Sequence, residues 1–268
     1  MIIKDKVFLI TGASSGIGKE LALQLSKRGA LLSCAARSME RLEDVCEKIN
    51  RNSGTAIPIQ TDITDYDQCR KMVKNTIKSY GRIDSLIINA GISMWARFDE
   101  IHDINFFKDI INTNYLGAVY CVHAALPHLK VSAGKVVSCS TAQALMGFPN
   151  HSGYVASKHA LHGFLSTLRM ENKSEISVLE AVLSWIRGTN LRENSFMSSG
   201  STHGASTRKH TRESISLDVC VQTIIKAIEE ERSVVYIPKK LRLIPFLKVF
   251  FKSFLEKKVM RAINKNTK

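Results

Sequence analysis

Thr11-Gly12-Ala13-Ser14-Ser15-Gly16-Ile17-Gly18 follows the apolar run Val7-Phe8-Leu9-Ile10 and leads into a segment with Ile17, Leu21 and Leu25 on one helical face. The short apolar run reads as a buried strand, and the i, i+4 recurrence reads as a helix over 17–28. Glycines at 12, 16 and 18 give the spacing Gly-x-x-x-Gly-x-Gly between them. This arrangement suits a dinucleotide pyrophosphate. Glycine permits a sharp turn and close backbone approach, and the free N–H groups of a helix start meet the phosphate charge. Gly12, Ser14, Ser15, Gly16, Ile17 and Gly18 are therefore expected to line that site. The bare spacing also fits an ordinary strand-to-helix turn, and the strand and helix on either side decide for the nucleotide.

Outward from this stretch the pattern repeats. Strands are predicted over 31–36, 55–60, 85–88, 135–140, 176–183 and 234–237, alternating with helices over 39–50, 65–80, 105–129, 152–171 and 217–231. Such alternation implies parallel βαβ units with right-handed crossovers. The expected fold class is α/β: a single-domain Rossmann-type doubly wound parallel β-sheet of about seven strands, flanked by helices and followed by a C-terminal amphipathic helical tail. No low-complexity linker divides the chain, so residues 1–238 read as one domain and 239–268 as a basic extension.

The 268 residues are 44% hydrophobic, ample for one core. Cysteines at 34, 46, 69, 121, 139 and 220 show no Cys-x-x-Cys pair or metal-ligand spacing, so a reducing compartment and no metal are expected. Met1-Ile2-Ile3-Lys4-Asp5-Lys6 runs straight into the first strand, and no stretch reaches the ~20 apolar residues of a membrane span. The expected location is cytoplasmic, at most peripheral on an intracellular membrane.

Net charge is +14, and ten Lys/Arg against one acid (Glu256) place +9 of it between Lys239 and Lys268. Nucleic acid is the generic partner of so basic a chain. Here, however, the basic residues interleave with Phe246, Leu247, Phe250, Phe251, Phe254, Leu255, Val259 and Ile263 at helical spacing, with Lys248, Lys252 and Glu256 opposite and Pro245 near the helix start. Such a stripe fits an anionic lipid surface, so no nucleic acid is expected. A helix packed on the domain or on a second subunit is the alternative.

The second strand ends without the Asp or Glu that would bind the ribose of NAD. Arg37-Ser38 offers a cationic fork and a hydroxyl to a 2′-phosphate, so NADP(H) is expected. A surface arginine opening a solvated helix is the alternative. Asp62 and Ile63, after the third strand, are placed for the adenine; a turn or helix-cap role for Asp62 stays open.

Tyr154-Val155-Ala156-Ser157-Lys158 sets a phenol and an ammonium at i and i+4 on one helix face. A free tyrosine ionises near pH ~10, and a neighbouring cation favours the phenolate, which suits general acid/base work.

With the N-terminal glycines, Asn89-Ala90-Gly91 and Asn114 before Gly117, this pentad resembles the short-chain dehydrogenase/reductase family over about residues 5–237. Asn114-Tyr115-Leu116-Gly117, Ala124-Ala125-Leu126-Pro127 and the tail are similar to its 11β-hydroxysteroid dehydrogenase-like, membrane-associated branch. The resemblance implies an NADP(H)-dependent oxidoreductase without metal. It would reduce a carbonyl, or oxidise a secondary alcohol, on a hydrophobic substrate such as a steroid, retinoid or keto-lipid. Tyr154 would be the general acid/base. Lys158 would hold the nicotinamide ribose and lower the Tyr154 pKa, and Asn114 would anchor a relay water. Asn89, Ala90 and Gly91 would line the cofactor and brace the sheet. Thr141 stands thirteen residues before Tyr154, where the family has Ser, with Ser140 as the fallback. Thr189 matches a Thr at the carboxamide end of the cofactor, and 190–212 falls at the substrate lid. Family members are often homodimers or homotetramers.

One departure stands out. Where the family has Pro-Gly after the sixth strand, this chain has Ser184-Trp185. Trp185 would either stack over the substrate or crowd the nicotinamide. In the second case the chain becomes a catalytically impaired NADP(H)-binding protein with an attachment tail. His123, His151, His159 and His162 have no motif role.

Overall fold

The computed structural model describes residues 1–189, 191–202, 204 and 214–264. In chain order its main elements are β1 (Val7–Thr11), α1 (Gly16–Ser26), β2 (Leu31–Ala36), α2 (Met39–Arg51), β3 (Thr55–Gln60), α3 (Tyr66–Tyr80) and β4 (Ser85–Ile88). There follow α4 (Phe106–Ile111), α5 (Gly117–Val131), β5 (Lys135–Thr141), α6 (Ser152–Glu171), β6 (Ser177–Leu183), α7 (Leu217–Glu229), β7 (Val234–Ile237), α8 (Ile244–Phe250) and α9 (Lys252–Asn264).

The seven strands form one parallel sheet in the order β7-β6-β5-β4-β1-β2-β3. The chain builds outward from β1 to β3, returns to β4 beside β1, and builds the other way. The order therefore reverses between β1 and β4, where the loops beyond the strand ends part and leave a crevice. Both faces of the sheet are covered, which is why the strands are nearly continuous apolar runs. Phe8, Ile10, Leu32, Val137 and Leu179 pack on Leu21 and Leu25 of α1, Leu42 of α2 and Ile224 of α7. Leu9, Leu86, Val136 and Val178 pack on Met72 of α3, Cys121 of α5 and Leu165 of α6.

The helix expected over 105–129 is broken into α4, a widened π turn over Asn112–Leu116, and α5. The turn brings Asn114 inward, where its side chain bonds across to Ile92 and Ser157. Two short ladders were not expected: 93–94 pairs with 195–196, and 186–187 with 215–216. Neither has enough residues to show a period.

The tail also departs from the single stripe expected. It breaks at Phe251, which leaves the helical region at φ −136° and ψ 44°. The break rotates the two halves relative to each other. Ile244, Leu255 and Ile263 become buried, Ile244 and Leu255 packing in one cluster with Ala142 and Val182, while Phe246, Phe250, Phe251 and Phe254 stay exposed. Among the described residues no helix is long and apolar enough to cross a membrane.

Candidate active site

The crevice begins at the glycine loop after β1. Gly12 has φ +66°, a conformation costly for a side-chain-bearing residue. A Cβ at Gly12 would lie 2.9 Å from the Ala90 Cα, and one at Gly18 would lie 2.5 Å from Asn89 Nδ2 and against the Gly12 carbonyl. Asn89 braces this loop, its Nδ2 donating to the carbonyls of Thr11 (3.1 Å) and Gly12 (3.2 Å). Thr11 Oγ1 accepts from the N–H groups of Asn89 and Ala90. The start of α1 has neither a side-chain cap from Ser15 nor an acid in its first turn. Its positive end is thus left for an anion. Ser14 and Ser15 are half-buried, and Ile17 packs against the core. Thr189 sits over Gly16, 3.6 Å from where a Cβ there would be. The donor set, the close-packed glycines and the uncapped helix all fit a pyrophosphate.

At the far end of β2, Arg37 is exposed and its carbonyl accepts from Gln60 Nε2 at 3.0 Å. Ser38 Oγ caps α2 by accepting from the Arg41 N–H at 3.5 Å, and Arg41 adds a second exposed guanidinium that the sequence reading passed over. Asp62 adopts the turn role left open for it: its Oδ1 accepts from Thr64 N (2.9 Å) and Thr64 Oγ1 (2.8 Å). The cap of α3 is Asp65. The side chain of Ile63 is buried near Gly117, so only its backbone is available to a ligand.

At the other end stand the reacting groups. Tyr154 is buried in a cluster with Met94, Ala96, Phe106 and Ile110. Of the two hydroxyls expected beside it, that of Thr141 acts on the phenol, opposing the rise in its pKa, whereas Ser140 is buried. Lys158 Nζ lies 5.7 Å from the centre of the Tyr154 ring. A Cβ on Gly91 would stand 3.1 Å from Asn114 Oδ1 and 3.6 Å from Lys158 Nζ. Asn89-Ala90-Gly91 therefore runs from the glycine loop to the ammonium. The Asn114 amide is committed to protein partners: Nδ2 donates to the Ile92 carbonyl (2.8 Å) and Ser157 Oγ (3.0 Å), and Oδ1 accepts from the Ile92 N–H (2.9 Å).

Burial governs the titration of both groups. It pushes the Tyr154 phenol up, with the Thr141 hydrogen bond opposing. It draws the Lys158 ammonium down to about 8, with Cys139 and Glu180 opposing. On balance the phenol lies above and the ammonium below its ordinary value, burial being the larger cause for each.

The Trp185 side chain turns toward Phe148. Its ring meets Phe148 edge-on at 6.0 Å, and the Arg192 guanidinium lies 5.7 Å from it. Phe148 meets His151 at 5.3 Å, and His151 meets Tyr154 at 6.1 Å. Trp185 is thus two rings removed from the phenol, in a chain of aromatics that the sequence reading did not assemble. His151 donates from Nδ1 to the Pro149 carbonyl at 3.0 Å, and burial pulls its pKa down to about 4, so the ring is neutral.

The start of the segment expected as a lid is pinned in place. Trp95 N–H donates to the Phe196 carbonyl at 2.8 Å, and the Phe106 and Phe196 rings stack at 5.1 Å. Residues 190, 203 and 205–212 of that segment lie outside the described residues. No His/Cys/Asp/Glu group able to hold a metal occurs among the described residues.

A glycine cradle at the reversal of strand order, with a buried Tyr-x-x-x-Lys pair beyond it, defines a Rossmann-type dinucleotide fold. The chain belongs to the short chain dehydrogenase family, whose model matches residues 6–198. Among its relatives is 11-beta-hydroxysteroid dehydrogenase 1A of Arabidopsis thaliana, 43% identical over 175 residues, which are 65% of this chain and 50% of the relative. Another is 11-beta-hydroxysteroid dehydrogenase A of Sesamum indicum, 33% identical over 234 residues, covering 87% of this chain and 65% of the relative. The chain spans about half the length of the first of these. An alcohol dehydrogenase from the archaeon Thermococcus sibiricus, solved with 5-hydroxy-NADP, has the same fold at a TM-score of 0.75 and 23% identity, over 86% of this chain and 95% of that one.

Proposed function

We propose that the protein is an NADP(H)-dependent oxidoreductase that reduces a carbonyl, or oxidises the corresponding secondary alcohol, on a hydrophobic substrate of the steroid, retinoid or keto-lipid kind. The observation that carries this reading is the buried Tyr154 phenol with Lys158 one helical turn away, its Nζ 5.7 Å from the ring centre. The names of the relatives and the NADP analogue in the archaeal structure support it.

Gly12, Ser14, Ser15, Gly16, Ile17 and Gly18 would hold the pyrophosphate, and Arg37 and Ser38 the 2′-phosphate. Asp62 and the Ile63 backbone would meet the adenine, and Asn89, Ala90, Gly91, Lys158 and Thr189 the nicotinamide half. When bound, the reduced cofactor supplies hydride to the carbonyl carbon. Tyr154 holds the proton that the carbonyl oxygen needs, and burial keeps it on the phenol at neutral pH until a negative charge develops on that oxygen. Thr141 fixes the phenol in place, and the Lys158 ammonium stabilises the phenolate left behind. Met94, Phe106, Ile110 and Phe196 exclude water beside Tyr154 and favour an apolar substrate. The tail, 239–268, would rest on an anionic membrane surface, and the domain, 1–238, would assemble as a homodimer or homotetramer.

The test is Tyr154→Phe, assayed for NADPH consumption with a panel of steroid, retinoid and long-chain keto substrates. Turnover should fall about 10²–10⁴-fold, with NADPH binding by fluorescence kept within a few fold. Retained turnover sinks the reading. Trp185 in place of glycine favours one other outcome: wild-type protein that binds NADPH tightly and turns over nothing is an impaired binding protein.

A further inference from the structure

A cavity of about 260 Å³ lies between the tail and the loop that follows β5. Met146, Gly147 and Pro149 form its wall on the body, and Leu255, Val259 and Met260 its wall on α9. Phe148 turns instead to His151 and Trp185, so the cavity and the aromatic chain flank one loop without sharing a residue. The walls are thus apolar, and a Cβ on Gly147 would meet open space. The rim is charged, with Lys248 of α8 and Lys252 and Glu256 of α9. Lys252 and Glu256 approach only to 3.9 Å, and both are mostly exposed, so the carboxylate answers that ammonium weakly. Two ammonium groups against one carboxylate leave the mouth positive.

We propose that this cavity binds a monomeric fatty-acid-like carboxylate, its chain between Met146 and Val259 and its head at Lys248 and Lys252. Three features select that class. The volume lies just under the roughly 300–1,000 Å³ of ordinary small-molecule sites, which suits one extended chain better than a fused ring system. Apolar walls under a positive mouth match an apolar chain with one anionic end. The site is also a cleft between two parts of the chain, whereas a bilayer surface would meet the exposed rings of Phe246, Phe250 and Phe254. The inference stands apart from the reading of Tyr154, since no group of the reaction lines the cavity.

The experiment follows the methyl groups of Met146, Met260 and Met94 by NMR in the full chain, each assigned by its loss in Met146→Leu, Met260→Leu or Met94→Leu. Met94 is buried in the cluster with Tyr154 and so reports the active site. Decanoate, kept below the concentration at which it forms micelles, should shift Met146 and Met260 along one saturating curve and leave Met94 in place. Decyltrimethylammonium, of equal chain and opposite charge, should need about tenfold more. Lys248→Gln/Lys252→Gln should weaken decanoate about fivefold or more. Gly147→Leu, which fills the cavity from a position with room for a side chain, should remove the saturable shift. Should Gly147→Leu not fold, the lysine double variant, exposed at both positions, decides. No saturating shift, a shift at Met94 alone, or equal affinity for the two amphiphiles overturns the proposal. So does a response of Met146 and Met260 to phosphatidylserine vesicles but not to decanoate, which would make the cleft a bilayer contact.

Discussion

Single residues decide which cofactor the crevice accepts. Arg37 closes β2 where an acid would favour a free ribose, and its exposed guanidinium has Arg41 one helical turn on. A planar fork binds phosphate bidentately, which a neutral side chain cannot do. Arg37→Ala is therefore expected to weaken NADPH binding by about tenfold or more while leaving NADH within a few fold, read by nucleotide fluorescence. Equal losses for both nucleotides would assign Arg37 to the surface. The place of Arg37 was legible in the sequence because strand ends fall at predictable places. The aromatic chain from Trp185 through Phe148 and His151 to Tyr154 was not legible. It joins residues from three segments, and no local pattern says that a tryptophan in place of glycine turns toward Phe148.

At the scale of elements, the crevice exists because β1 and β4 are held side by side, and a buried acid at their far ends does much of the holding. Asp84 Oδ2 accepts from the Val7 N–H at 3.0 Å, and Oδ1 accepts from Arg82 (2.6 Å) and Lys6 (3.1 Å). Its own N–H donates to the Val7 carbonyl, and its carbonyl accepts from the Lys135 N–H, so β1, β4 and β5 meet at this residue. Burial opposes its ionisation, but the Val7 N–H, Arg82 and Lys6 outweigh that and hold the carboxyl below its usual value. A depressed carboxylate stabilises the fold above its unfolded pKa, and that contribution is lost as pH falls through the folded one. Asp84→Asn should cost about 2 kcal/mol at pH 7, a figure reduced from the buried-pair range because Lys6 and Arg82 are partly solvated. The difference should shrink below about pH 4, measured by denaturant unfolding at both pH values. A constant difference would mean that the charge is not what matters. The strands that Asp84 joins were readable from apolar runs alone. The π turn at Asn112–Leu116 was not, because a side chain from one helix bonding to Ile92 and Ser157 leaves no period in the sequence.

For the whole molecule, the break at Phe251 divides the basic tail between residues packed on the body and residues left exposed. Ile244 and Leu255 close over Ala142 and Val182, which fastens the tail to the body beside the segment that leads to Tyr154. Phe246, Phe250, Phe251 and Phe254 are left at 53%, 67%, 53% and 58% exposure, with the Phe246 and Phe250 rings 4.8 Å apart. Exposed aromatics ringed by Lys248, Lys252, Lys257 and Lys258 suit the headgroup region of an anionic bilayer. Removing the whole tail would uncover Val182 and Ala142, so a loss of binding could then reflect a damaged body. The double variant Phe250→Ser/Phe254→Ser avoids this, because both rings are exposed and their loss should leave thermal stability unchanged. Burying each ring in lipid is worth about 2 kcal/mol, so sedimentation with phosphatidylserine-containing vesicles should fall by about a hundredfold or more. Each lysine near the surface adds about 1 kcal/mol, so wild-type binding should weaken with added salt and be slight on neutral phosphatidylcholine. If the double variant sediments as the wild type does, the aromatic face is not a lipid contact, and the tail serves only to cover the sheet edge beside the active site.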